Sequence, residues 1–184
     1  ANTQSDNQEV HGSYSYFGDN FYSTFSLERF DLDYGIPGSP EGHIGGVDIA
    51  MFRNTQKFNF HKDISIFDFQ TLDIHQRYID YEHTESVSGS KHPSVILSQQ
   101  IFLLDTKVKG KHKSFGSMLK IRNFQAREFY WTPDAQEIVL SMYGLSESKI
   151  GNYLLQSSFR LENSYIKPDL SSEYFYANID INQI

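Results

Sequence analysis

The sequence predicts a mainly β fold, an antiparallel sandwich or barrel with one or two short helices near residues 133–156. Three observations predict it. Aromatic residues make up 15% of the chain, with 15 Phe and 12 Tyr, and such side chains favour pleated, half-buried surfaces. Several stretches alternate apolar and polar residues at the period of a strand. Between them lie turn-rich segments such as "GIPGSPEGHIGG" (35–46), with five glycines and two prolines, where a chain changes direction.

The elements follow in order. Residues 1–10 are polar and read as a mobile arm, leaving 11–184 as a single β-rich domain. Within 13–34, Phe17, Phe21, Phe25 and Leu27 share one parity, as in one long strand. "VDIAMF" (47–52) and "KFNFHKDISIFDF" (57–69) resume the pattern, with Phe58, Phe60, Ile64 and Ile66 on one side and Asn59, His61, Asp63 and Ser65 on the other. Residues 70–86 fit either a helix or a strand. The segments 95–108 and 115–131 read as the two arms of a hairpin around "KGKHKS".

At 132 the punctuation changes. Thr132 as N-cap, Pro133 at the first helical position, Asp134 and Glu137 at the positive end of the dipole, and Gly144 past the end predict a helix. Ser146 begins a second. "QEIVLSMYGLSESKIGNYLL" (136–155) resembles a helix-turn-helix, with Val139 and Tyr143 on the first helix, Gly144 at the turn, and Leu145, Ile150 and Tyr153 on the second. The resemblance implies DNA contact through Lys149, Asn152 and Gln156, with Arg160 and Lys167 near the backbone. It departs from the motif at Leu140, where close helix packing wants a small residue. Residues 171–181 read as a closing strand.

Composition excludes several functions. The chain has no cysteine, which removes disulfides, thiolate catalysis and cysteine-ligated metals. No cofactor is expected, and no metal site. There is no Gly-x-Ser-x-Gly, no His-Glu-x-x-His and no phosphate loop. A net charge of −7 disfavours general nucleic-acid binding, which rests on neutralised phosphates. No window holds the ~18 apolar residues of a spanning helix. A membrane barrel is not expected either, because the strands look irregular, two helix signals intervene, and the chain ends on Ile184 rather than an aromatic residue. The first residue is Ala1, without an apolar leader. A secreted or periplasmic location is the expectation, with the cytoplasm open.

Three candidate sites emerge. His61 and Asp63 share a strand face, a base with its orienter or two legs of a hydrolase or lyase site. Tyr14, Tyr16, Tyr22, Tyr130 and Trp131 are flat rings beside polar residues, as in carbohydrate sites. Lys107, Lys109, Lys111, His112 and Lys113 crowd positive charge into an acidic chain. The expected role is noncovalent binding of a carbohydrate, lipid or protein partner. The alternatives are a structural or self-assembling subunit forming homo-oligomers, an enzyme using His61 and Asp63, and a DNA binder through 136–155.

Overall fold

A computed structural model describes residues 4–39, 44–128 and 132–169. Eight strands form one antiparallel sheet in the order of the chain: β1 (Ser5–Phe17), β2 (Phe21–Ile36), β3 (Val47–Ile66), β4 (Phe69–Val87), β5 (Val95–Gly110), β6 (Lys113–Arg127), β7 (Asp134–Ile150) and β8 (Tyr153–Asp169). The fold is therefore all-β among the described residues, and the sheet is open, with β1 and β8 as its edges. No second layer covers either face among the described residues.

The meander sorts its connections. At one end lie tight turns of two or three residues: 18–20, 67–68, 111–112 and 151–152. At the other lie the longer links 37–46, 88–94 and 128–133. Phe67 sits in its turn at φ 53° and Gly151 at φ 61°, the left-handed conformations such turns require.

Cross-strand partners share a face, so the register assigns every side chain. One continuous row is Tyr14, Phe25, Phe58, Gln76, Leu104, Leu119, Leu140 and Asn163. The neighbouring row on the opposite face is Ser13, Ser26, Lys57, Arg77, Leu103, Lys120, Val139 and Ser164. The buried side chains all fall on that second face. Ile49, Ala126 and Val139, with Ser26, Thr55 and Ser141, are its buried side chains. In a single layer this bias comes from curvature, so the second face is concave and the first convex.

The helices expected near 133–156 are strands. Thr132 caps no helix, and Asp134 faces no helix dipole; its Oδ1 accepts a 2.9 Å hydrogen bond from the Ala126 amide and ties β7 to β6. Gly144 is not a helix terminus. It lies opposite Phe159, and a Cβ there would meet that ring at 2.4 Å. Cross-strand packing has overridden the local helix signals. The resemblance to a helix-turn-helix fails for the same reason, since 136–155 is the β7–β8 hairpin and offers no recognition helix.

Other expectations shift less. The stretch 13–34 is two strands split by the turn at 18–20, so Phe17 and Phe21 face opposite ways. Ser5–Val10, expected in a mobile arm, pair with Tyr34–Arg29. The ambiguous segment 70–86 is strand β4, and the hairpin about "KGKHKS" forms as β5–β6. The closing strand at 171–181 lies outside the described residues.

Candidate functional site

The two faces divide the chemistry, and each reverses its character along the strands. Near the tight turns the convex face is apolar. Its rows hold Leu27, Phe102 and Ile138, then Phe25, Leu104 and Leu140, then Phe60, Ile74 and Leu161, then Phe21, Leu72 and Phe115. Many are open to solvent: Tyr14 is 72% exposed, Leu140 53% and Leu161 66%. Ser23, Gln56, Lys62, Gln76, Thr106, Ser117 and Asn163 interrupt the band. One row further from the tight turns the same face becomes Arg29, Asn54, Asp80, Gln100, Asn123 and Gln136.

The concave face does the opposite. Beside the apolar band it carries ion pairs. Glu28 Oε1 and Oε2 meet Arg53 at 2.9 Å and Lys57 at 3.0 Å. Glu137 meets Lys120 at 3.0 Å and Arg122 at 2.8 Å. Both carboxyls are held below the ordinary glutamate range, first by the lysine hydrogen bond in each case. The Tyr143 hydroxyl crosses over Gly116 to donate to Asp105 Oδ1 at 2.7 Å, and burial with that bond pushes its pKa up to about 12. Toward the long links this face turns apolar, with Phe30, Tyr81 and Phe124, then Leu32, Met51 and Leu97.

His61 and Asp63 do share the concave face. Sequence reasoning missed the closer partner, because Asp73 lies across the β3–β4 hairpin. His61 Nδ1 is 2.6 Å from Asp73 Oδ1, and Nε2 is 3.5 Å from Asp63 Oδ1. The Tyr22 ring stacks on the imidazole at 4.9 Å. The Asp73 hydrogen bond raises the His61 pKa. Carboxylates at both nitrogens favour the protonated ring, which suits an ion pair and handicaps a general base. Among the described residues, no three His, Asp or Glu side chains gather closely enough to hold a metal ion.

The aromatic set is not one site. Tyr14 and Tyr16 lie on the convex face and Tyr22 on the concave face, while Tyr130 and Trp131 lie outside the described residues. The basic set is divided too. Lys107 and Lys109 project from the concave face, Lys113 from the convex face, and Lys111 and His112 form the turn between β5 and β6. Lys113 Nζ is bound to Asp68 at 2.7 Å and lies 5.3 Å from the Phe69 ring centroid. The remaining depressions are shallow, such as one of about 340 Å³ on the concave face beside Lys57, His75, Arg77 and Asp105. The chain matches no protein-family model and no curated protein.

Proposed function

We propose that this sheet is a section of wall in a lipid-embedded β-barrel. The convex apolar band meets bilayer hydrocarbon, and the concave polar face lines an aqueous lumen. This joins two roles the composition left open, a lipid partner and a structural subunit. The observation that carries it is the inverted polarity of a curved single layer. A water-soluble sheet turns its apolar side inward, whereas here, beside the tight turns, the inward side is charged and the outward side is apolar.

Several features support the reading. The band on β6 runs from Phe115 to Ile121, six steps or about 20 Å along the strand at ~3.3 Å per residue, which is the scale of the ~25 Å apolar belt of such barrels before strand tilt is counted. On β8 the run extends from Tyr165 to Tyr153. Aromatic residues run through the whole band, with Tyr78, Phe102 and Tyr165 at one margin, Phe21, Phe115 and Phe159 at the other, and Tyr14, Tyr16, Phe25, Phe58 and Phe60 between. Short turns at one end and longer links at the other follow the same architecture. The polarity reversal marks where strands leave the bilayer, since beyond it the outer face meets water. No helix of the described residues is long and apolar enough to cross a membrane, which leaves crossing by strands untouched. The helix signals that spoke against a barrel are strands, and where the chain ends carries no weight. A membrane of the outer type also keeps the chain outside the cytoplasm.

The absence of cysteine makes the test direct. Single cysteines at successive positions 136–143, labelled with a fluorophore in vesicles, would be quenched by nitroxide-bearing lipids. Quenching should appear at Ile138→Cys, Leu140→Cys and Met142→Cys and spare Val139→Cys, Ser141→Cys and Gln136→Cys. A chain that stays out of vesicles, or quenching without this alternation, would sink the proposal.

A further inference from the structure

The basic stretch acquires a place if the sheet lies in a bilayer. The tight turns all lie at one margin of the apolar band. From there to the ends of the strands the chain carries Lys62, Lys109, Lys111, Lys113 and Lys149 against Asp19, Asp63, Asp68 and Glu147. This end is thus net basic in a chain whose total is −7. Lys113 is spent on Asp68. Lys62, Lys109, Lys111 and Lys149 form no ion pair among the described residues.

Two of these lysines are placed to meet lipid. Lys62 projects from the convex face in the row of Leu72, Val108 and Phe115, the last apolar row before the turns. A lysine in that row can lay its stem along apolar surface and carry its ammonium to the interface, as long cationic side chains do. Lys111 stands at the β5–β6 turn beside His112, whose carbonyl accepts a 2.7 Å bond from the Glu147 amide and anchors the turn to β7. Phe67, 95% exposed in the adjoining β3–β4 turn, adds an apolar contact at the same level.

We propose that this margin binds anionic phospholipid headgroups through Lys62 and Lys111, with His112 flanking. The inference rests on the barrel reading and names the lipid at one rim of it. Positive charge near an anionic leaflet contributes about 1 kcal/mol per lysine, or roughly fivefold in partitioning.

The test compares the full chain with a Lys62→Gln/Lys111→Gln variant, in phosphatidylcholine vesicles and in vesicles with phosphatidylglycerol added. The wild-type chain should gain from phosphatidylglycerol, the gain should shrink as salt rises, and the variant should lose about thirtyfold of it while entering phosphatidylcholine as before. Equal partitioning of both proteins into both vesicles overturns the headgroup inference and leaves the barrel standing. Failure of the wild-type chain to enter either vesicle removes the barrel and the inference with it.

Discussion

His61 is held by a residue twelve positions away. Its Nδ1 lies 2.6 Å from Asp73, and this bond is the first cause of its raised pKa. The sign of the linkage follows. A histidine whose folded pKa is raised stabilises the fold fully below its unfolded value, near 6.5, and that contribution fades as pH rises through the folded value. Asp73→Asn should therefore bring the His61 titration, followed by NMR, down toward the ordinary range. It should also flatten the pH dependence of stability above about pH 6.5. An unchanged titration would mean that Asp63, at 3.5 Å, holds the ring instead. The cross-strand partner was hidden in the sequence for a plain reason. Asp63 is visible two residues from His61, whereas Asp73 becomes a neighbour only once the turn at 67–68 is placed.

At the scale of the strand, Gly116 and Tyr143 form one unit. A Cβ at Gly116 would lie 2.4 Å from Tyr143 Cζ and 2.7 Å from the Thr106 carbonyl oxygen, and the backbone oxygen cannot swing aside as a ring can. Gly116→Ala should lift Tyr143 off β6 and break its bond to Asp105. A loss of about 1–3 kcal/mol is expected, measured by denaturation in detergent, with the Tyr143 hydroxyl returning to ordinary titration. Stability and titration unchanged from wild type would refute the packing argument. The strands themselves were only partly legible. β5 and β6 are two long apolar-rich runs about a polar turn that breaks both, so their hairpin could be read directly. β2 could not, because its apolar residues change phase midway. Phe21, Phe25 and Leu27 lie on the convex face, then Phe30, Leu32 and Tyr34 on the concave one. No bulge interrupts this register; the surroundings change and the chain does not. Such a phase change looks like noise to a pattern search, and in β7 it combined with Pro133 and Gly144 to imitate a helix.

The molecule as a whole is defined by what a single curved layer leaves unpaired. β8 is a 17-residue edge and β1 a 13-residue edge, and each presents a row of amides and carbonyls without partners among the described residues. In water an edge of that length is an aggregation hazard but its polar groups are solvated. In hydrocarbon they have no water, and each unsatisfied group costs several kcal/mol. A lipid-embedded sheet of this kind must therefore close, with strands from the same polypeptide or from another copy. Eight strands in meander order make that geometrically simple, because β1 and β8 run antiparallel, so that closure would only need β8 to meet β1 of the same or another copy. The consequence is measurable by hydrogen exchange on the chain in vesicles. Amides of β8 between Tyr153 and Tyr165, and of β1 between Gly12 and Phe17, should be protected as strongly as those of β4. In lipid-free solution the same edge amides should exchange first while the middle strands hold. Fast exchange at both edges in vesicles would mean an open sheet in contact with water, and a wall segment of a closed barrel is incompatible with that result.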